Sequence, residues 1–348
     1  MSAPRDWIEP QSINDFQIGP KDIYQWRNEG YCLLDGLLPI KILNQAKNDA
    51  LSVFPHPDSP EAKKMTDFGG GLLTFPSTFD SINEIALHPN IQKTVSQLLN
   101  LPSNEIRLTQ AEIWPKYGYS CHLTDSNSDQ RMHCDYPNHT LTHPPPWEHP
   151  EAVEMIIYLS DVEECDGATA VVPRFGENDP AYQYPIYQMP GFGLLEWKNN
   201  KNCAEEYLKI KDSKIAEFRQ THLYPREKYA KYRFGSVLLY RHDTWHRGTE
   251  LKEGSLRVVM NCTYRNAQSE WVCTLHTGWS WAMYRANLQM ERLLAESSVE
   301  QRCLLGFPAP GHAYWNKDTL LAVALRYGPL GMNMEPYIKS YEEKNDKL

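Results

Sequence analysis

A histidine and an aspartate stand two positions apart in the segment RMHCDYPNHT, where His133 and Asp135 flank Cys134. On an extended strand, residues i and i+2 point to the same face, so this imidazole and carboxylate could converge on one ion. The pair is uninformative alone, because residues 56–58 repeat it as His-Pro-Asp between prolines that favour a turn. A third ligand is needed, since two histidines and one carboxylate form the facial triad that suits non-haem Fe(II).

The third ligand is sought in GSVLLYRHDTWHRGTELKEGSLRVVMN, residues 235–261. Gly235, His246 and Arg257 follow the spacing G-x(10)-H-x(10)-R, and Arg257 falls within the apolar run LRVVMN. His242 lies four residues before His246 in the same predicted turn and competes with it. The position relative to Gly235 and Arg257 favours His246.

This array, with H-x-D on an earlier strand, resembles the phytanoyl-CoA dioxygenase family of Fe(II)/2-oxoglutarate-dependent oxygenases. GYCLLDGLLP resembles the family's N-terminal strand-to-helix entry, and IIYLSDVEECDGATAVVPRFGE resembles the segment that follows the H-x-D loop. The chain departs from the family once, because Arg-Phe-Gly-Glu stands at residues 174–177 where Gly-Ser-His usually follows the proline. The departure falls in a predicted loop and touches no proposed ligand.

The resemblance implies a mainly β fold with helical flanks, whose core is a double-stranded β-helix, or jelly-roll, with the metal in its mouth. It implies that His133, Asp135 and His246 bind Fe(II) and that Arg257 contacts the distal carboxylate of 2-oxoglutarate, which a guanidinium fork suits. Gln110 matches a family glutamine beside that cosubstrate, although an inward glutamine could equally satisfy a backbone group. With three ligands supplied, the histidines at 139, 143 and 149 are predicted to be loop residues.

The implied reaction uses O2 and 2-oxoglutarate to oxidise an aliphatic C–H bond of a small molecule, by default hydroxylation, with release of succinate and CO2. The presence of Asp135 argues against halogenation, because halogenases of this superfamily have a small residue there. Desaturation, ring formation and epoxidation stay open. The sequence does not identify the substrate. One candidate is an acyl-CoA, whose phosphates would need a basic patch, and the other is a small polar metabolite or natural-product intermediate.

Two other classes of function compete with the oxygenase. A non-catalytic relative would bind metal or ligand without turnover, and the complete triad with Arg257 speaks against it. A zinc hydrolase could use two histidines and one carboxylate with an activated water. The sequence has no H-E-x-x-H motif, and Arg257 would have no purpose in such an enzyme.

The elements that must position these residues change character along the chain. Residues 1–104 are predicted to be mixed α/β, with helices at 20–29, 39–54 and 88–100 and a strand after the first. Short strands of antiparallel type follow in a core at about 105–268, interrupted by an insertion at about 176–234 that contains a helix around 199–218. Residues 269–348 turn helical, at 281–296 and 318–327. We predict one domain, 1–348, with both extensions packed on the core.

The composition narrows the class of partner. The 348 residues carry a net charge of −9 without any run of five basic residues, so neither nucleic acid nor a membrane surface is expected. No apolar run of membrane-spanning length occurs, and the N-terminus has acids and proline where a signal peptide needs a basic and then apolar run. The eight cysteines form no C-x-x-C pair, and we expect a cytoplasmic protein with free thiols. The oligomeric state has no sequence signal.

Overall fold

The computed structural model describes residues 5–65, 72–119, 128–269, 289–304 and 307–345. Within these ranges, no helix combines the length and the apolar character that crossing a membrane requires.

The N-terminal region alternates short strands and helices. In chain order they are β1 (Trp7–Ile8), β2 (Gln11–Ser12), α1 (Pro20–Glu29), β3 (Tyr31–Asp35), α2 (Ile40–Val53), α3 (Asp80–Ala86) and α4 (Pro89–Leu99). Proline opens α1, and Gly30 ends it in the left-handed region at φ 96°, which glycine reaches without a side-chain clash. The three predicted helices are confirmed, whereas α3 was missed because its seven residues span only two turns.

The remaining strands complete two sheets. They are β4 (Ile106–Tyr117), β5 (Ala152–Tyr158), β6 (Thr169–Val171), β7 (Lys228–Ala230), β8 (Val237–Arg241), β9 (His246–Gly248) and β10 (Leu256–Asn266). The larger sheet has the order β2-β3-β8-β5-β10-β4, and the smaller one β1-β7-β6-β9. Pairing is antiparallel except where β2 joins β3 and β1 joins β7.

Both faces of the larger sheet are buried, and successive side chains along its strands point alternately to one face and the other. On β5, Met155 packs in the cluster shared with the N-terminal helices, whereas Ile156 packs in a second cluster with Val171 of the smaller sheet. A strand covered on both faces loses the usual alternation of polar and apolar residues, which explains the continuous apolar run in AVEMIIY. The exception in that run, Glu154, is buried and lines the cavity described below.

Helices occupy the connections and the C-terminal region. They are α5 (Tyr136–His139), α6 (Val162–Cys165), α7 (Lys201–Lys211), α8 (Ser213–Phe218), α9 (Gln289–Glu296), α10 (Val299–Leu304), α11 (Lys317–Tyr327) and α12 (Glu335–Asn345). The single helix predicted around 199–218 is wrong in one respect, since Asp212 ends α7 and its carboxylate caps α8 by accepting from Ile215 N. The helix predicted at 318–327 is confirmed, and the first eight residues of the one predicted at 281–296 lie outside the described residues.

Candidate metal site

The three predicted metal ligands lie together. One ligand atom each from His133, Asp135 and His246 fall within 4.8 Å of one another. His133 Nε2 is 3.5 Å from Asp135 Oδ1, and His246 Nε2 is 3.2 Å from Asp135 Oδ2. Both histidines are buried, and the three side chains line one cavity between the sheets. The structure therefore brings these residues to a single point, as a shared cation would require.

Residues 133–135 do not form the regular strand that the sequence predicted, so that prediction is wrong. His133 and His246 form an isolated β-bridge. The His246 amide donates to the His133 carbonyl at 2.8 Å, and the His133 amide donates to the His246 carbonyl at 2.9 Å. Asp135 then stands at the start of α5 in a helical conformation, φ −89° and ψ −18°. The amides of Asp135 and Tyr136 both donate to the carbonyl of His242 at 3.0 Å. This turn, rather than strand periodicity, aims the carboxylate at the two imidazoles.

Hydrogen bonds at the far side of each ring fix the tautomer. His133 Nδ1 lies 3.0 Å from the Arg131 carbonyl, and His246 Nδ1 lies 3.0 Å from the Thr244 carbonyl. Because a carbonyl only accepts, each Nδ1 carries the proton and each Nε2 presents a lone pair toward Asp135. Burial, reinforced by neighbouring His246 and Arg131, lowers the pKa of His133 well below its usual value and keeps that ring neutral.

Two side chains orient the carboxylate of Asp135. The Tyr240 hydroxyl donates to Oδ2 at 2.8 Å, and Asn138 Nδ2 donates to Oδ1 at 3.3 Å. Burial opposes ionisation of Asp135, but the adjacent histidines, His246 before His133, lower its pKa well below the usual range when they carry a proton. Sequence reasoning missed both partners. The signal for Asn138 was its i+3 spacing from Asp135 at a helix start, which puts the two side chains on one face.

Arg257 enters the same cavity from β10. It pairs across the strands with Lys116 of β4, and both side chains are buried. Arg257 Nη1 donates to the Gly167 carbonyl, while its Nε has no partner among the described residues. At 8% exposure, Arg257 lies inside the cavity rather than on the protein surface.

Lys116 is a second basic side chain at this end of the cavity, and the sequence analysis did not identify it. Its Nζ donates to the Thr249 carbonyl at 2.7 Å. Burial, followed by the charge of Arg257, lowers the pKa of Lys116 well below its usual value. A lysine placed in the apolar run EIWPKY was the available signal, because buried lysines are rare unless paired.

Gln110 also lines the cavity, six positions from Lys116 along β4. Its Nε2 donates to Glu112 Oε1 at 2.7 Å, and its Oε1 lies 3.1 Å from the Thr263 hydroxyl. Its amide thus bonds to side chains, and the alternative in which it satisfies a backbone group is wrong. Its contact with 2-oxoglutarate stays a prediction.

The other histidines stand outside the ligand group. His143 and His149 lie in loops as predicted, whereas His139 is the last residue of α5. His139 and His143 are buried, and His149 is exposed. His139 lines the cavity, and burial lowers its pKa to about 4. His242, the rival of His246, contributes its backbone carbonyl to the Asp135 turn. The second H-x-D motif, at His56, lies in a turn as predicted, and its side chains are exposed.

The insertion anchors the segment that carries His133. Arg219 is fully buried; it donates to Glu205 Oε1 and Gln188 O at 2.8 Å and to Met132 O at 2.9 Å. The Arg131 guanidinium stacks 3.7 Å from the centre of the Trp197 ring. The carbonyl of Arg131, which orients His133, is therefore held from the side of the insertion.

A scan against protein-family models found no match, and no curated protein matched the sequence. Solved structures do match. SnoK, described as a non-heme alpha ketoglutarate dependent carbocyclase from nogalamycin biosynthesis, is 14% identical with a TM-score of 0.48 over 73% of this chain and 86% of its own. EvdO2 from Micromonospora carbonacea var. aurantiaca, complexed with 2-oxoglutarate, is 13% identical with a TM-score of 0.47, over 76% and 97%.

A third similar structure is the epimerase SnoN in complex with Fe3+, alpha ketoglutarate and nogalamycin RO. It is 17% identical with a TM-score of 0.46, over 74% of this chain and 86% of its own. Because these TM-scores are below 0.5, we argue the function of this protein from its own side chains.

Proposed function

We propose that this protein is an Fe(II)- and 2-oxoglutarate-dependent oxygenase that oxidises an aliphatic C–H bond of a small molecule, with hydroxylation as the expected outcome. The observation that carries the proposal is the convergence of two imidazole Nε2 atoms and one carboxylate in a buried cavity that also contains a buried guanidinium. His133, Asp135 and His246 would hold the iron, and Arg257 would bind the distal carboxylate of 2-oxoglutarate.

The donor set fits Fe(II). Two neutral nitrogens and one carboxylate oxygen, without a thiolate, leave coordination positions open for a bidentate cosubstrate and O2. Zinc accepts the same donors, so the metal alone does not separate an oxygenase from a hydrolase. The buried Arg257 does favour the oxygenase. A buried guanidinium is costly unless a carboxylate pairs with it, and 2-oxoglutarate would supply that carboxylate, whereas a water-activating hydrolase would not need one.

Lys116 strengthens the assignment of the cosubstrate end. Burial and the facing Arg257 disfavour a positive charge on Lys116, and a carboxylate bound between the two side chains would offset that cost. The planar fork of Arg257 can form paired hydrogen bonds with the carboxylate, and Lys116 adds a point charge. The distal carboxylate of 2-oxoglutarate has the matching charge.

When bound together, iron, 2-oxoglutarate and O2 would supply the oxidant, and the cosubstrate would end as succinate and CO2. The chain's own residues would fix the geometry and the surroundings. Tyr240 and Asn138 hold Asp135 in one orientation. Trp114, Ile156 and Val259 give the cavity apolar walls that exclude water from the reacting C–H bond.

The fold belongs to the same proposal. We infer a double-stranded β-helix core at about 105–268, interrupted by the insertion at 176–234, within one domain of the phytanoyl-CoA dioxygenase type. Two sheets with a shared apolar cluster and the metal ligands at one end of their interface support this reading.

An anaerobic titration tests the proposal. Apo protein receives Fe(II) and then 2-oxoglutarate, and the visible iron-to-ketoacid charge-transfer band is recorded. We expect the band in wild type, its loss in Asp135→Ala, and a much higher 2-oxoglutarate requirement in Arg257→Ala. Asp58→Ala is the matched control, because it removes the aspartate of the exposed second H-x-D motif and should leave the band unchanged.

A folded wild-type protein that gives no band would overturn the proposal. A protein that binds zinc and hydrolyses an ester without 2-oxoglutarate would support the hydrolase instead. A second comparison separates the rival ligands: His246→Ala should abolish the band, whereas His242→Ala, which leaves the carbonyl in place, should retain it.

A further inference from the structure

The cavity has opposite electrostatic character at its two ends. Arg257 faces Lys116 at one end of the β10–β4 pair, and six residues farther along β10 Thr263 faces Gln110 and Glu154. At about 3.4 Å per residue, the two groups are roughly 20 Å apart along the strand. The first end holds two basic side chains, whereas the second holds the buried carboxyl group of Glu154 and the amide of Gln110, which donates to the buried Glu112.

Glu154 is the least satisfied of these acidic groups. It is 3% exposed and lines the cavity, and its Oε2 lies 2.5 Å from the Thr263 hydroxyl. Its Oε1 is buried without a partner among the described residues. A buried carboxyl oxygen without a donor is costly, so a ligand that offers one would be stabilised there.

Other acceptors point the same way. Asn138 Oδ1 and Asn261 Oδ1 also belong to the cavity lining and lack a partner among the described residues. Burial and the neighbouring Asp135 raise the pKa of Glu154, and burial raises that of Glu112, so the ionised form of either group is stabilised only if a positive charge is bound beside it. The unpartnered acceptors call for a ligand with several donors, and a cationic donor would also favour ionisation of Glu154.

We propose that this end of the cavity binds the substrate through a protonated amine, which donates to Glu154 Oε1. The proposal rests on the proposed function, because it takes the cationic end to be occupied by 2-oxoglutarate. A hydroxyl group donates one hydrogen bond, whereas the lining presents three acceptors that lack a partner in the described part of the chain, on Glu154, Asn138 and Asn261. An amine supplies several donors and the opposite charge, so the substrate class is a small amine-bearing metabolite oxidised at a carbon between the amine and the iron.

The test uses the protein loaded with Fe(II) and 2-oxoglutarate without O2. The probes are matched trios that share one carbon skeleton: glucosamine, glucose and glucuronate, and cyclohexylamine, cyclohexanol and cyclohexanecarboxylate. Binding is followed by the shift of the charge-transfer band and by calorimetry. We expect the amine of at least one trio to bind about tenfold or more tightly than its alcohol, as a charge-assisted hydrogen bond implies.

Two variants locate the preference. Glu154→Gln keeps the shape and one acceptor but removes the charge, and it should bring the amine and the alcohol to similar affinities. Glu163→Gln removes an exposed glutamate of α6 and should keep the preference of wild type.

Equal binding of amine and alcohol in wild type, or no binding of any amine, overturns the inference, as does a preference that survives in Glu154→Gln. The wild-type comparison decides even where Glu154→Gln fails to fold. Failure of the proposed function is distinguishable, since the charge-transfer band would then be missing before any probe is added.

Discussion

Removal of the Tyr240 hydroxyl should weaken metal binding although the residue is not itself a predicted ligand. Tyr240 is 2% exposed, and its hydroxyl donates to Asp135 Oδ2 at 2.8 Å. In Tyr240→Phe the ring still fills its place, but the carboxylate keeps only the longer bond from Asn138, at 3.3 Å. The carboxylate then samples other orientations, and each metal-binding event must restrict it again.

The size of the effect follows from that one bond. A hydrogen bond to a charged group contributes about 1.5–3 kcal/mol, which corresponds to about 10- to 150-fold in an equilibrium constant. Loss of an outer partner of a metal ligand typically costs about 10- to 100-fold in metal affinity. We therefore expect the dissociation constant for Co(II), an air-stable substitute for Fe(II), to rise by about 10- to 100-fold in Tyr240→Phe, as measured by calorimetry.

Tyr158→Phe is the matched control. Tyr158 is also a fully buried tyrosine of the larger sheet, but its hydroxyl donates to Thr169 Oγ1 at 2.8 Å instead of to a predicted ligand. This variant should lose stability without a change in Co(II) affinity. Wild-type affinity in Tyr240→Phe, alongside lost affinity in Asp135→Ala, would refute the idea that Tyr240 orients the carboxylate.

Three further predictions test other parts of the site. Lys116→Met should raise the 2-oxoglutarate concentration needed for half of the charge-transfer band by about tenfold, because one charged partner of the distal carboxylate is lost. Arg219→Met should lower the free energy of unfolding in a denaturant titration by about 3–5 kcal/mol, since it leaves the buried carboxylate bound by Arg219 without its cation. Burial opposes ionisation of Asp243, but the bidentate Arg241 guanidinium holds its pKa below the usual value. The stability from this pair is therefore present above about pH 4 and lost as pH falls through the lower, folded-state pKa, so acid titration of Asp243→Asn should show a shallower decline than wild type.

Local patterns predicted most of the fold. The helix at 20–29 follows from proline at its start and glycine after its end, and the helix at 318–327 follows from its apolar spacing. Strand β5 was recognisable because a run buried on both faces is continuously apolar. The break at Asp212 was missed, because a capping aspartate within a helical pattern looks like any other polar residue until its carboxylate meets Ile215 N.

The candidate site was predictable where one short segment of the chain supplied the spacing. The interval from Gly235 through His246 to Arg257 runs through β8, β9 and the start of β10 with short connections between them, so its length constrains which side chains meet. The H-x-D pair was found for a reason that the structure corrects. Period-two alternation suggested convergence, but the chain converges through a bridge at His133 and a helical turn at Asp135.

The charged ends of the cavity could not be predicted in the same way, because they depend on register between strands. Lys116 and Arg257 are 141 positions apart in the chain, and only the β10–β4 pairing makes them neighbours. The same pairing, displaced by one residue, would turn Lys116 and Gln110 of β4 away from the cavity and leave Arg257 without a neighbouring basic side chain. The polar side chains proposed to bind the cosubstrate and the amine are thus brought together by strand pairing in the sheet. The sequence indicates such a site only through a single polar residue within an apolar strand, such as Glu154 in AVEMIIY.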